Sequence, residues 1–133
     1  MTKTDKSVLV MAALKARERA VAPYSKFKVG AALLTAEGVI ITGANVESAS
    51  YGLTCCAERV ALFKALTEGH KNFVAVAVVA RAPGAPMPCG ACRQLLAEYA
   101  PRAVVWAADS RFPRKIREFS VAELLPAAFL EVP

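Results

Sequence analysis

Two stretches of this 133-residue chain, Thr54-Cys55-Cys56-Ala57-Glu58-Arg59 and Pro88-Cys89-Gly90-Ala91-Cys92-Arg93-Gln94, hold all four of its cysteines. Cys89 and Cys92 are three residues apart, so on a helix they share one face. With a third cysteine from elsewhere they would complete a three-ligand zinc site whose fourth position stays open, as in catalytic zinc centres. The two stretches therefore predict two helices that meet at one metal, and the rest of the chain has to bring them together.

Both stretches begin with residues that suit a helix start. Thr54 is a good N-cap, and Pro88 fits the first turn of a helix that carries Cys89 and Cys92. The partial positive charge of a helix N-terminus favours the thiolate form, which is the form that binds zinc. Glu58, two residues after Cys56, can approach the same ion only near such an N-terminus, and it is the candidate to move protons of a bound water.

Two neighbours of these residues have alternative interpretations. Cys55 could complete a closed site of four cysteines, but adjacent residues on a helix point about 100° apart, so we expect Cys55 in the core. Three thiolates would weaken the ability of a zinc ion to acidify water, and Arg59 can reach back along the helix to offset their charge. The alternative for Arg59 is an exposed ion pair.

Composition limits the class of protein. The length predicts a single domain over residues 1–133, and an apolar content of 56% suggests surface buried against other subunits. No apolar run reaches the ~18 residues of a membrane span, and the N-terminal segment fits a cytosolic amphipathic helix better than a signal peptide. The net charge of +6 is scattered, apart from a cluster in 111–117, so we expect a solvated basic surface rather than a nucleic-acid footprint.

The pattern of apolar residues and turns predicts an α/β protein with alternating helices and strands. Asp5 or Thr4 caps a first helix that ends near Ala20, and a polar loop over 43–53 is where recognition groups would lie. The predicted strands cover 27–34, 39–42, 73–80, 103–108 and 115–119. The metal helices run from Cys55 to about Thr67 and from Pro88 to about Tyr99, and a capping box at Ser120 and Glu123 opens a short last helix.

The two cysteine stretches, together with the segments 24–32, Asn45-Val46-Glu47 and Glu123-Leu124-Leu125-Pro126 followed by Phe129, resemble the short, homotetrameric bacterial cytidine deaminases over nearly the whole chain. The resemblance implies a three-layer fold with a five-stranded mixed sheet and helices on both faces. It also implies hydrolysis of cytidine or deoxycytidine to uridine or deoxyuridine with release of ammonia, as part of pyrimidine salvage in the cytoplasm.

The resemblance assigns roles to individual residues. Cys56, Cys89 and Cys92 would hold one Zn²⁺ per subunit, Glu58 would carry protons between water, ring N3 and the leaving amine, and Arg59 would act on the ligand sulfurs. The nucleoside would contact six residues, some of them from neighbouring subunits because the active sites lie at subunit interfaces: Phe27, Asn45, Glu47, Tyr51, Ala57 and Phe129.

Two alternative functions fit the same cysteine pattern. One is a related zinc deaminase that acts on a nucleic-acid base or a cytosine-bearing antibiotic, although the chain lacks a basic and aromatic insertion for flanking nucleotides. The other is a structural zinc module without enzymatic activity, which would require four protein ligands.

Overall fold

The computed structural model describes residues 5–130, which form four α-helices, five β-strands and one short 3₁₀-helix, Tyr51–Leu53. The predicted order of helices and strands is confirmed, and the 3₁₀-helix is an addition that the sequence did not suggest. The elements in chain order are α1 Lys6–Arg17, β1 Val29–Thr35, β2 Ile40–Ala44, α2 Ala57–Thr67, β3 Phe73–Ala80, α3 Gly90–Tyr99, β4 Val104–Asp109, β5 Arg117–Ser120 and α4 Val121–Leu124.

The five strands form one mixed sheet in the order β2-β1-β3-β4-β5. Strands β3 and β4 are parallel, with Val76 opposite Val105, and the other three neighbouring pairs are antiparallel. The parallel pair requires a crossover, and α3 supplies it. Within the part of the chain that the structure describes, none of the helices has the length and apolar character that crossing a bilayer requires.

Helices cover both faces of the sheet, as predicted for a three-layer α/β protein. On one face α1 packs through Leu9, Val10 and Ala13. On the other face Leu62 of α2 and Leu96 of α3 belong to a second apolar cluster. Because alternate residues of β3 enter the two clusters, that strand is apolar along nearly its whole length.

Two glycines set how closely the helices approach the sheet. A Cβ atom on Gly30 of β1 would lie 1.9 Å from the carbonyl oxygen of Ala13 in α1. A Cβ atom on Gly43 of β2 would lie 2.7 Å from the carbonyl oxygen of Ala57 and 2.5 Å from the amide nitrogen of Ala61. Gly43 therefore lets the first turns of α2 rest directly on the sheet backbone, which fixes where α2 begins.

The ends of α1 show how local hydrogen bonds move a boundary. Asp5 is the N-cap, because its side chain accepts a hydrogen bond from the Ser7 amide at 3.0 Å, whereas Thr4 lies outside the described residues. The helix ends at Arg17 rather than near Ala20. The amides of Arg19 and Ala20 bond to carbonyls three residues earlier, which closes tight turns instead of extending the α-helix.

Strand ends differ from the predictions by one or two residues, except for β3, which matches 73–80. Strand β1 begins at Val29 instead of residue 27, because the side chain of Asn45 bonds to the backbone of Phe27 and Val29. Strand β2 continues to Ala44, beyond its predicted end at residue 42, and Gly43 pairs with Ala31. Strand β4 includes Asp109 and β5 covers Arg117–Ser120 rather than 115–119.

The predicted ends of the two metal helices at Thr67 and Tyr99 are confirmed. Gly69, which follows the end of α2, has a φ of 91° and supplies the left-handed conformation common at this position. The capping box is also confirmed, since Ser120 and Glu123 exchange hydrogen bonds at the start of α4.

Gly43→Ala tests the close approach of α2 to the sheet. The added methyl group has backbone atoms within 3 Å, so we expect α2 to shift outward and the free energy of unfolding to fall by about 1–3 kcal/mol. Zinc content should fall with it, because α2 carries part of the metal site. Chemical denaturation and metal analysis measure both quantities, and Gly52→Ala, which meets no atom within 4 Å, is the control. Equal stability of the two variants would contradict this account.

Candidate active site

Two of the three predicted metal ligands are helix N-caps. Cys56 precedes α2 with extended backbone angles, φ −69° and ψ 153°, and Cys89 precedes α3 with φ −68° and ψ 168°. The predictions that Thr54 caps α2 and that Pro88 lies in the first turn of α3 are therefore wrong. Thr54 instead ends the 3₁₀-helix, and its hydroxyl accepts a hydrogen bond from the Ser48 amide at 3.0 Å.

The three sulfurs are spaced for a tetrahedral metal ion. The Sγ atoms of Cys56 and Cys89 are 3.7 Å apart, those of Cys89 and Cys92 are 3.4 Å apart, and all three lie within 4.8 Å of one another. A Zn–S bond of about 2.3 Å in tetrahedral geometry places two sulfurs about 3.8 Å apart, so the trio fits zinc. Cys92 is buried while Cys89 is exposed, so the site is accessible from one side.

The start of α3 also supplies a backbone donor to one of these sulfurs. The Cys89 sulfur accepts a hydrogen bond from the Cys92 amide at 3.5 Å, in place of the oxygen that usually caps a helix. A hydrogen bond from Cys92 lowers the pKa of the Cys56 thiol, and the same shared proton raises the pKa of Cys92. A bound cation would displace the remaining protons, because thiolate is the form that binds metal.

Arg59 contacts the sulfur cluster as predicted. Its Nη2 atom donates to Cys56 Sγ at 3.6 Å and to the Thr54 carbonyl oxygen at 3.2 Å. The Cys56 hydrogen bond is also the main reason why the pKa of Arg59 is raised. This contact places positive charge beside a ligand sulfur. The buried Nε atom of Arg59 has no hydrogen-bond partner among the described residues.

Glu58 lies in the first turn of α2, and its exposed fraction is only 6%. Because Cys56 is the extended cap and not a helical residue, both side chains can lie at the helix end despite their two-residue separation. Burial, helped by the nearby Cys56 charge, raises the pKa of Glu58 to about 7. A carboxyl group with this pKa can take up and release a proton near neutral pH.

Cys55 is not a core residue, contrary to the expectation. It is half-buried, and its backbone forms an isolated antiparallel bridge with Val46, with hydrogen bonds of 2.9 and 3.0 Å. Burial raises its pKa, which keeps it a thiol. Cys55 does not belong to the three-sulfur cluster, but its bridge joins the metal stretch to the polar segment 45–47.

Asn45 and Glu47 flank that bridge and bind the preceding segment 24–29. The Asn45 side chain accepts from the Val29 amide and donates to the Phe27 carbonyl, both at 2.9 Å. Glu47 accepts from the amides of Tyr24 and Ser25 at 3.1 Å and from the Ser25 hydroxyl. The Ser25 hydroxyl is the main cause of the lowered pKa of Glu47.

The other four predicted contact residues differ widely in exposure. Ala57 is buried and Phe27 is partly exposed, whereas Tyr51 is 87% and Phe129 64% exposed. Tyr51 lines a groove of about 360 Å³ together with five other residues: Tyr24, Ser25, Glu47, Ser48 and Thr54. Phe129 does not line this groove.

Comparison with known proteins places this geometry in a family. A family model described as the cytidine and deoxycytidylate deaminase zinc-binding region matches residues 3–108. The chain belongs to this deaminase family. A cytidine deaminase from Halalkalibacterium halodurans is 52% identical over 130 residues, which cover 94% of each chain, and one from Sporosarcina psychrophila is 48% identical over 94% of this chain and 91% of its own.

Solved structures of the family have the same fold. The crystal structure of cytidine deaminase from Burkholderia pseudomallei superimposes with a TM-score of 0.91 at 48% identity and covers 95% of this chain and all of its own. The family is zinc-binding, and Cys56, Cys89 and Cys92 are the residues of this chain that are placed to hold the ion.

Two contacts at the site were not foreseen. Arg93 donates to the Pro88 carbonyl at 2.8 Å and to the Leu124 carbonyl at 3.1 Å. Gln94 donates to the Phe129 carbonyl at 2.7 Å. Both residues follow Cys92 directly and bind a segment more than 30 positions away, a separation at which local sequence patterns carry no information.

Zinc content of single variants tests the assignment of the ligands. We expect Cys56→Ser, Cys89→Ser and Cys92→Ser each to lose most of the zinc, because each sulfur belongs to the cluster. Cys55→Ser should retain about one zinc per chain, and Arg59→Ala should retain most of it, since Arg59 contacts a ligand without being one. Metal analysis of the purified proteins measures this. A Cys55→Ser protein without zinc would contradict the three-ligand site.

Proposed function

We propose that this chain hydrolyses the 4-amino group of cytidine or deoxycytidine, which gives uridine or deoxyuridine and ammonia. In this reaction the bond from C4 to the amine breaks, and C4 gains an oxygen from water. The observation that carries the proposal is the buried carboxyl group of Glu58 beside a three-sulfur cluster that is accessible from one side. The family to which the chain belongs supports it.

Glu58 would move the protons that this hydrolysis requires. It accepts a proton from the attacking water, delivers it to N3 of the ring, and later delivers a proton to the departing amine. A group that both accepts and donates works best when its pKa is near the working pH, and burial gives Glu58 a pKa of about 7. Its position in the first turn of α2 holds the carboxyl group at the metal site.

The cysteines and Arg59 would prepare the metal site. Cys56, Cys89 and Cys92 hold the zinc, which when bound supplies the activation of water by lowering the pKa of that water toward neutrality. Three thiolates donate much negative charge, which opposes this effect. The guanidinium of Arg59, 3.6 Å from Cys56 Sγ, withdraws part of that charge.

Asn45 and Glu47 would bind the sugar. Each already bonds to the segment 24–29, but the Asn45 amide has a second N–H, and the Glu47 carboxylate has unused lone pairs. These remaining sites can bond to sugar hydroxyls, while Phe27 and the backbone of Ala57 lie against the nucleoside. The bridge from Val46 to Cys55 keeps this sugar site beside the metal site.

Glu58→Gln tests the proton transfers. The amide keeps the size of the side chain but cannot carry protons, so we expect the variant to retain its fold and zinc while turnover falls by at least 10²–10⁴-fold. Ammonia release from cytidine, circular dichroism and metal analysis are the measurements. Arg59→Ala is the comparison, and it should slow turnover to a smaller extent. Wild-type turnover by Glu58→Gln would refute the proton-transfer role.

We further propose that the enzyme is a homotetramer whose active sites lie at subunit interfaces. The apolar side chains of Tyr51, Leu53 and Phe129 are each more than 60% exposed in the single chain, an unfavourable state unless another subunit covers them. Tyr51 and Phe129 would then contact a nucleoside bound by a neighbouring subunit. Four chains of 14.1 kDa give an expected mass of about 56 kDa.

Mixed assemblies test whether sites are shared between subunits. Glu58→Gln subunits lack the proton carrier but keep Phe129, while Phe129→Ala subunits have the opposite defect. Co-expression of the two variants gives assemblies in which some sites combine Glu58 of one subunit with Phe129 of its neighbour. The KM of these assemblies for cytidine should be closer to the wild-type KM than the KM of assemblies that contain only Phe129→Ala subunits. Light scattering gives the mass. Assemblies that behave as a simple sum of the two parents would refute shared sites.

We also propose a single domain over residues 1–133 and a cytoplasmic location. Both apolar clusters pack on the same sheet, so neither helical layer has a separate core, which supports one domain. All four cysteines are free, and a reducing compartment keeps the thiols available for metal.

A further inference from the structure

The segment after α4 carries the exposed side chain of Phe129. We define residues 125–130 as the C-terminal strap; it contains no helix or strand. Leu125 and Ala128 pack on the main apolar cluster, whereas Phe129 and Leu130 are exposed. Ala127 has a φ of 52°, a left-handed conformation that is unusual for alanine, so the strap turns sharply just before Phe129.

Gln94 fixes the end of this strap. Gln94 Nε2 donates a hydrogen bond to the Phe129 carbonyl oxygen at 2.7 Å. Arg93 donates to the carbonyl of Leu124, the last residue of α4, and so holds the chain directly before the strap. Apolar packing alone permits rotation and sliding of the strap, but the Gln94 bond defines the position of the backbone that carries the Phe129 ring.

Gln94, the donor of this hydrogen bond, belongs to α3, one of the two helices of the metal site. Gln94 is two residues after Cys92, in the first half of α3, so its position is set by the same helix start that holds two ligand sulfurs. A side chain that is fixed to the metal site thus determines where an aromatic ring 35 residues away can point.

We infer that Gln94 is a positioning residue, which acts on substrate binding only through Phe129. This inference rests on the proposed function, in which the Phe129 ring covers the pyrimidine of a nucleoside held by a neighbouring subunit. Gln94 touches neither the nucleoside nor the metal in this arrangement. When the bond is removed, the ring samples many positions, and ordering it on the base costs binding energy.

Gln94→Met is the direct variant, because methionine keeps the size of the side chain and removes the donor. We expect the KM for cytidine to rise about five-fold, the usual effect of one lost hydrogen bond, with kcat within two-fold of wild type. Zinc content and melting temperature should stay near wild type. Glu98→Met, an exposed position one turn further along α3, is the matched control and should leave KM unchanged.

A double-mutant cycle separates positioning from a general structural role. In the Phe129→Ala background, Gln94→Met should have no further effect on KM, because the ring that it positions is absent. A five-fold rise in both backgrounds would overturn the inference, as would a Gln94→Met enzyme with the KM of wild type. A wild-type protein that released no ammonia from cytidine would instead refute the proposed function.

A fluorescence measurement tests the bond without any enzymatic activity. Trp106 is the only tryptophan, so Trp106→Phe combined with Phe129→Trp leaves one indole, at the end of the strap. Adding Gln94→Met should lower the anisotropy of that indole, and adding Glu98→Met should not. Equal anisotropy in the two proteins would overturn the inference even if the kinetic variants were unstable.

Discussion

Both helices of the metal site begin at a metal ligand, and the rest of the structure depends on this constraint. An N-cap residue is extended, and its side chain folds back over the free amides of the first turn. Cys56 and Cys89 occupy this position in α2 and α3, and the Cys89 sulfur accepts a hydrogen bond from the Cys92 amide, so both sulfurs lie near helix ends with partial positive charge. The position of each of these two sulfurs is therefore set by the position of its helix.

Because of this constraint, packing far from the metal controls the distances between the sulfurs. α2 rests on β2 at Gly43. Leu96 of α3 packs in the same apolar cluster as Leu62 of α2. The crossover between the parallel strands β3 and β4 brings the start of α3 to the start of α2. The sheet thus acts as the frame that keeps three cysteines from two distant stretches at bonding distance from one ion.

Much of the fold followed from local patterns, and the errors arose where distant groups intervened. The run of valine and alanine in 73–80 predicted β3 correctly, because a strand buried on both faces is apolar throughout. The start of β1 was wrong because the side chain of Asn45, 16 residues beyond Val29, takes the hydrogen bonds there. The end of β2 was wrong because Gly43 continues the strand, where its missing side chain lets α2 pack directly on the sheet.

The same distinction applies to the site. Cysteine spacing and the nearby glutamate are local, so the sequence predicted the three-sulfur cluster. The helix starts were misplaced because threonine is a common N-cap and proline is common in the first turn, whereas cysteine is a less common N-cap. Only the structure shows that two of the cysteines occupy the N-cap positions, and that the Cys89 sulfur accepts a hydrogen bond from an amide of its helix. The hydrogen bond between Val29 and Asn45 joins residues 16 positions apart, and the bond from Gln94 to Phe129 joins residues 35 positions apart. No short sequence pattern encodes such pairs.

Asn45 and Glu47 have a consequence for how this enzyme could change during evolution. Both side chains hold the segment 24–29 in place, through four backbone groups and one hydroxyl. In the sugar-binding role that we propose for them, any exchange that alters their contacts with the sugar also removes bonds that hold the segment leading into β1. Selection for a new sugar preference would therefore encounter a folding barrier at these two positions, and adaptive substitutions should accumulate at the exposed aromatic residues instead.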